Sequence, residues 1–319
     1  MRRLALLLSC AILLSACSRG DSDARARVFA PGEAGHGDGV PTFDPDHPEA
    51  ALALSADAVA RALGAFAWTG AVDWTVTRAG DDAARVHAIE RHAVRQTETG
   101  DFEVKAEIDP GLGPGAETGK QVVWTGGMTY ARALPASFRE RPTDHGRDAR
   151  RFRDESFGMV AALARLYGPA LRLEAAGEAN ALGRTARRYR FLLAKADPAP
   201  AAAPAPGASA DPDTKIRRAF LDGRVPLSVD GELLADARTG APLEVRLSGV
   251  FGVKDQPGVR ATVELLAKVQ AIGGAVHAVV APKALPDERK PAGPSTALEA
   301  AGLKKRESGP GGEPADDQE

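Results

Sequence analysis

Two histidines and a carboxylate stand close together at His87, Glu90 and His92. Imidazole and carboxylate groups can ligate zinc or transfer protons as general acids and bases. The surrounding residues 86–96 alternate as in a β-strand, on which Glu90 and His92 share one face and His87 points to the other. Since at most two of these groups converge locally, we predict a solvated strand face, with no metal and no cofactor.

A glycine-rich segment, residues 111–120, ends in a lysine, a composition that could cradle a phosphate. Its spacing does not fit that use. Pro114 stands six residues before Lys120, where glycine is required, and Gln121 stands where a hydroxyl would hold magnesium. The residues that follow have a strand pattern rather than a helical one. We therefore predict a plain connecting loop.

Catalytic patterns are otherwise weak in this chain. It has no Gly-x-Ser-x-Gly turn for a serine nucleophile. Its acidic pairs at residues 81–82, 211 and 213, and 316–317 fall in predicted turns or tails, where solvent would leave their chemistry unperturbed. We predict a protein that is not an enzyme; a pair of carboxylates brought together from distant strands stays an open alternative.

The start of the chain resembles the signal of a bacterial lipoprotein. Two arginines precede an apolar run, residues 4–14, and residues 14–17 read Leu-Ser-Ala-Cys, the pattern of a lipobox. The resemblance implies removal of residues 1–16 and a lipid on the sulfur of Cys17, whose several acyl chains anchor the protein to a membrane. Because Ser18 rather than aspartate follows, it also implies the outer membrane, with the protein facing the periplasm.

The charge of the chain bears on its partners, and its cysteine content bears on the stability of its core. The formal net charge is −2, and loss of the signal with its two arginines makes it about −4. No basic excess is left to neutralise a phosphate backbone, so we expect no nucleic-acid partner. Cys10 leaves with the signal and Cys17 is acylated, so the core must be stable without disulfides.

Three stretches are too poor in bulky apolar residues to fold. Residues 17–48 are predicted to be a tether, residues 196–213 a mobile loop of alanine and proline, and residues 286–319 a disordered tail. The remaining segment, residues 49–285, is long enough for one sizeable domain interrupted by the loop.

The periodicity of that domain predicts two helices and nine to eleven strands. Apolar residues recur at helical spacing over residues 49–63 and 155–167. Alternation predicts strands at 68–77, 86–96, 102–109, 122–125, 128–134, 185–193, 225–235, 243–251, 259–272 and 276–280. Gly126-Gly127 predicts a two-residue hairpin. Successive antiparallel strands with helices on one face indicate an α+β fold.

This order of elements resembles the LolA-like lipoprotein-carrier superfamily. A turn of the form Asp-x-x-Thr-Gly-x-Pro-Leu supports the resemblance, with Asp236, Thr239, Gly240, Pro242 and Leu243 in its defined positions. The resemblance implies a curled antiparallel half-barrel whose concave apolar face, covered by helices, holds acyl chains. It spans residues 49–282.

Large apolar side chains are expected on one face of the sheet, where they either pack as core or line an apolar ligand. The candidates for lining are Trp68, Trp74, Phe102, Trp124, Tyr130, Val263 and Leu265.

Two functions stay open for this domain. The preferred one is non-enzymatic binding of lipid acyl chains or another apolar ligand, with a role in lipid or lipoprotein traffic. The alternative is a structural or regulatory protein that contacts another envelope protein and has no cavity. For it, the arginine-rich residues 139–153 would dock a partner, although we expect a solvated, self-paired loop there. A pocket of several hundred Å3 would distinguish the two.

Overall fold

The computed structural model describes residues 39–194, 220–254 and 256–287. Cys17, the loop at 196–213, most of the predicted tether and nearly all of the predicted tail lie outside the described residues. Backbone contacts divide the chain into two units, Met1–Val40 and Pro41–Glu319. The fold that follows is that of the second unit.

Strands make up more than half of the described residues of this unit. They are β1 (Phe66–Arg78), β2 (Asp81–Gln96), β3 (Phe102–Asp109), β4 (Thr118–Thr125), β5 (Met128–Ala133), β6 (Phe138–Glu140), β7 (Leu171–Ala181), β8 (Arg184–Leu193), β9 (Arg224–Asp236), β10 (Pro242–Val253), β11 (Gln256–Ile272) and β12 (Ala284–Leu285). They form one sheet in the order β12-β6-β5-β4-β3-β2-β1-β11-β10-β9-β8-β7. Every neighbouring pair is antiparallel except the two-residue pairing of β12 with β6. The strand order begins at β12 and ends at β7, so the sheet is open and these two strands are its edges.

Three α-helices have both ends among the described residues: α1 (Ala56–Leu63), α2 (Arg147–Phe157) and α3 (Met159–Tyr167). Short 3-10 segments occur at Pro48–Ala53, Pro142–Asp144, Gly168–Ala170 and Gly273–Ala275. The hydroxyl of Ser55 caps α1 by accepting from the amide of Ala58 at 3.2 Å. No helix in the described ranges is long and apolar enough to cross a membrane.

The helices cover one face of the sheet and the core lies between the two layers. Phe157 at the end of α2 packs against Phe66 and Trp68 of β1, with ring centroids 5.7 and 5.2 Å apart. Tyr167 at the end of α3 packs on Phe251 of β10 at 4.6 Å. This arrangement confirms the α+β fold, an open antiparallel sheet covered by helices on one side.

Both predicted helices are divided. Leu54 and Ser55 separate the 3-10 segment from α1 within residues 49–63. Gly158 separates α2 from α3, and a side chain there would come within 2.7 Å of the carbonyl oxygen of Asp154. Helix α2 also begins at Arg147, so the expectation of a solvated loop over residues 139–153 is wrong. The helix was missed because Arg153, at 2% exposure, occupies a core position where an apolar residue is expected.

Two strand expectations also needed correction. Residues 276–280 form no strand, since the chain there has no hydrogen-bonded neighbour in the sheet. Strand β7 was not predicted, because it is an edge strand whose alternation is interrupted by a register shift between Ala175 and Glu178. The hairpin prediction is confirmed: Gly126 and Gly127 both have positive φ angles, 57° and 77°, between β4 and β5.

Packing begins earlier in the chain than residue 49. The ring of Phe43 lies 6.0 Å from that of Tyr189 on β8. The amide of Phe43 donates to the carbonyl oxygen of Arg238, in the turn between β9 and β10, at 3.2 Å. The last part of the predicted tether therefore packs against the domain.

Candidate functional site

A cavity of about 620 Å3 lies between the sheet and the helices α2 and α3. We call it the helix–sheet cavity. Its lining is mainly apolar and comes from β1 to β4 and from both helices: Val72, Trp74, Glu90, His92, Ala106, Ile108, Thr118, Gly119, Lys120, Phe152, Glu155, Ser156, Met159, Ala162, Leu163 and Leu166. The volume is within the range of about 300 to 1,000 Å3 that small-molecule sites occupy.

Strand register explains why these side chains meet. His92 of β2 lies opposite Ala106 of β3, and Ala106 lies opposite Lys120 of β4. Glu90 lies opposite both Val72 of β1 and Ile108 of β3. Because paired residues project to the same side of a sheet, these residues form one continuous wall facing the helices.

The opposite wall consists of α2 and α3, which approach the sheet closely at one point. A side chain at Gly70 of β1 would come within 2.5 Å of the sulfur of Met159 and 2.4 Å of the ring of Trp68. Glycine at position 70 therefore lets Met159 pack directly on the strand. Along the same walls, Ala106 and Ala162 project only methyl groups, which leaves space between the layers.

His92 is the most deeply placed ionisable group in the wall, at 8% exposure. Its Nε2 lies 2.7 Å from Oε1 of Glu90. This hydrogen bond outweighs burial and lowers the pKa of Glu90, so the carboxylate is ionised and can only accept. The proton of this bond therefore belongs to Nε2 of His92. The other ring nitrogen, Nδ1, is buried and has no hydrogen-bond partner.

Ser156 of α2 also lines the cavity and is 1% exposed. Its hydroxyl has no hydrogen-bond partner either. A serine nucleophile needs its oxygen within hydrogen-bond reach of a base. No hydrogen bond joins Ser156 to His92 in the part of the chain that the structure describes, so each residue keeps one polar atom without a partner.

The mouth of the cavity differs from its interior. Ile108 is 43% exposed, and Lys120, Glu155 and Ala162 are also exposed. The ammonium of Lys120 lies 4.5 Å above the ring of Phe152, a cation–π contact. The cavity thus runs from an interior with polar atoms at His92 and Ser156 to a charged rim.

Of the seven candidate lining residues, Trp74 lines the helix–sheet cavity. Trp68, Phe102 and Trp124 share its side of the sheet and pack elsewhere. Trp68 contacts Phe157, while Phe102 and Trp124 lie beneath the guanidinium groups of Arg153 and Arg150, at 4.9 and 5.5 Å.

Val263 and Leu265 of β11 lie opposite Trp74 and Val72, so they share the helix-covered face as expected. They are buried and are not among the lining residues of the helix–sheet cavity. The expected position of Tyr130 is wrong. It lies opposite Val123, whereas Trp124 lies opposite Thr129, so Tyr130 projects from the other face of the sheet.

Sequence reasoning also misjudged His92, expected on a solvated strand face and found buried. The sharing of a face by Glu90 and His92 is confirmed, and His87 projects oppositely to bond with Asp73. The described residues contain no group of three or more metal-ligating side chains. The lining by Ser156 and α3 had no sequence signal beyond helical spacing, because it depends on which strands those helices cross.

No family model matches the chain, and no curated protein matches it. Similar solved structures include a complex of MucA and MucB from Pseudomonas aeruginosa, at 15% identity over 67% of this chain and 56% of that chain, with a TM-score of 0.22. The chain spans 56% to 63% of the length of the three MucB chains that it matches.

Two further solved structures are similar to this chain. A LolA superfamily protein from Nitrosomonas europaea is 8% identical over 70% of this chain and 96% of that chain, with a TM-score of 0.19. A putative outer membrane lipoprotein-sorting protein domain from Vibrio parahaemolyticus is 10% identical over 70% and 93%, with a TM-score of 0.21. The similarity to each of these structures extends over 70% of this chain.

Proposed function

We propose that this protein is a non-enzymatic envelope lipoprotein that binds a lipid acyl chain in the helix–sheet cavity. Lipidated Cys17 anchors it to the outer membrane, facing the periplasm. The observation that carries the proposal is the cavity itself, about 620 Å3 between helices and sheet where close packing would leave none. A role in lipid or lipoprotein traffic follows from an anchored protein with such a site.

The cavity wall suits an alkyl chain. Val72 and Leu163 are buried, while Trp74 and Leu166 are half-buried, and all four present carbon atoms to the cavity. Transfer of each methylene from water to such a surface contributes about 0.8 kcal/mol. A chain of a dozen methylenes therefore supplies ample driving force for reversible binding.

The alternative, a protein that only contacts another envelope protein, is less well supported. Its candidate docking segment, residues 139–153, includes the exposed Arg151 of α2. Arg151 lies 3.5 Å from Asp148 and 3.9 Å from Glu155 of its own helix. Its charge is thus balanced locally, and exposed pairs of this kind are typical of a solvated helix face.

Uptake of a fluorescent fatty acid by the purified protein tests the proposal. Ala106→Leu adds bulk to the cavity wall and should reduce uptake severely. Ala93→Leu is the matched control, since Ala93 is exposed and lies next to His92 on the opposite face of β2. Equal uptake by both variants, or no uptake by the unchanged protein, would contradict binding in this cavity.

A further inference from the structure

Two buried polar atoms in the helix–sheet cavity lack partners: Nδ1 of His92 and Oγ of Ser156. Their residues are 8% and 1% exposed. Buried polar groups in folded proteins are nearly always hydrogen-bonded, and each exception requires an explanation. Since both residues line one cavity, a single bound molecule could supply both missing partners.

The hydrogen-bonding capacity of the two groups limits what that molecule can be. In the neutral tautomer whose Nε2 donates to the Glu90 carboxylate, Nδ1 is an acceptor. The Ser156 hydroxyl can donate as well as accept. A complementary ligand group therefore carries an O–H that donates to Nδ1 and an oxygen that accepts from Ser156.

Burial fixes the direction in which such a ligand would lie. His92 and Ser156 are buried, whereas Ile108 and Ala162 are exposed and lie at the rim. A polar head at the interior pair leaves an alkyl chain to run outward between Trp74, Leu163 and Leu166.

We propose that His92 and Ser156 bind the O–H head of a single-chain amphiphile, a long-chain fatty acid or fatty alcohol, with its head inward. This inference rests on the proposed function, since it presumes an alkyl chain in the helix–sheet cavity. A carboxyl head satisfies the pair in either protonation state. The acid O–H donates to Nδ1, or the proton moves to Nδ1, which then donates to the carboxylate.

Binding of four hexadecyl compounds to the purified protein tests the head site, measured as displacement of a fluorescent fatty acid. They are hexadecanoic acid, hexadecanol, methyl hexadecanoate and hexadecane. The acid, the alcohol or both should bind about tenfold or more tightly than the ester, which has no O–H to donate to Nδ1. The tighter binder of the acid and the alcohol shows whether the site prefers a fatty acid or a fatty alcohol.

Single substitutions in the cavity show which residues cause the tighter binding of the acid or the alcohol. The preference is the dissociation constant of the ester divided by that of the acid or the alcohol. His92→Phe and Ser156→Ala should each bring this ratio close to one. Lys120→Met tests a head position at the rim, because it removes a charge there and leaves His92 and Ser156 unchanged. If Lys120→Met abolishes the preference and the other two variants keep it, the head lies at the mouth and the inference is wrong.

The four compounds also distinguish the head site from the alkyl-binding cavity. Equal binding of all four compounds would overturn the head site while supporting an alkyl-binding cavity. Failure of all four compounds to bind would overturn the proposed function and the head site with it. Should His92→Phe fail to fold, Ser156→Ala alone decides, since removal of one unpartnered hydroxyl leaves the packing intact.

Discussion

Arg153 of α2 and Asp57 of α1, 96 positions apart in the chain, form a two-point ion pair. Nη1 of Arg153 donates to Oδ1 of Asp57 at 2.7 Å, and Nη2 donates to Oδ2 at 2.8 Å. The same guanidinium reaches the side-chain oxygen of Gln96 on β2 at 3.2 Å and lies over the ring of Phe102. The pair thus joins α1 and α2 to each other and to the sheet.

Asp57→Ala should destabilise the protein, because it removes one of the two carboxylates that pair with the buried guanidinium of Arg153 and leaves only that of Asp154, at 2.8 Å. The loss expected in the free energy of unfolding is about 2 kcal/mol, as for hydrogen bonds to a charged group, since Asp154 still pairs with Arg153 and the Asp57 side chain is 38% exposed. Urea denaturation measures it. The double variant Asp57→Ala/Arg153→Met should recover part of the loss, and a double variant less stable than Asp57→Ala would contradict this account.

The stabilising effect of the Asp236 carboxylate should depend on pH. Burial alone would raise its pKa, but hydrogen bonds from Arg184 and Thr239 outweigh burial and lower the pKa below 3.8. A carboxylate with a lowered pKa contributes stability above the unfolded value, and this contribution is lost as the pH falls through the folded pKa. Asp236→Asn should thus cost about 2 kcal/mol at pH 7, and less below pH 3.8.

Thermal unfolding between pH 7 and pH 3 measures this gap. The variant should show the flatter pH profile, although Asp57 and Asp144, whose pKa values are also lowered, still make it sensitive to acid. A gap that stays constant across this range would show that the Asp236 charge is not what stabilises the turn between β9 and β10.

Ser156→Ala should stabilise the ligand-free protein, the reverse of the usual effect of a buried substitution. The Ser156 hydroxyl is buried and makes no hydrogen bond, so its removal relieves a desolvation cost of about 1 kcal/mol. Urea denaturation of delipidated protein gives the difference. A clear loss of stability would mean that the hydroxyl has a partner within the fold.

Most of the sheet could be predicted because its strands alternate strictly. In β11, Ala261, Val263 and Leu265 are buried and the residues between them are exposed, as period-two alternation requires. Helix α2 could not be predicted, since the charge of Arg153 is compensated by Asp57 from a distant helix. Likewise, the face of Tyr130 depends on the register between β4 and β5, and one residue of difference reverses it.

The sequence predicted an apolar site on the covered face of the sheet, but not the residues that line it. Aromatic residues on one sheet face indicated an apolar layer, and Trp74 does line the cavity. Which parts of that layer stay open depends on where α2 and α3 lie. Met159 lies over Gly70, while Ala106 presents only a methyl group to the cavity. These contacts join residues far apart in sequence and leave no local pattern.

Lipidation of Cys17 stays a prediction of the sequence. Metabolic labelling with palmitate should mark the protein, and Cys17→Ala should remove the label because the acyl chains attach at that residue. Separation of the two membranes on a density gradient should place the labelled protein in the outer one. Equal labelling of both forms would contradict anchoring through Cys17.

Native mass spectrometry of the protein purified from cells tests ligand binding most directly. We expect a population whose mass exceeds that of the processed chain by one lipid, released on mild activation. Trp74→Asp, which places a charge on the half-buried cavity wall, should abolish this species while circular dichroism shows an unchanged fold. A ligand-free spectrum, or a bound lipid that persists in Trp74→Asp, would contradict lipid binding in the helix–sheet cavity.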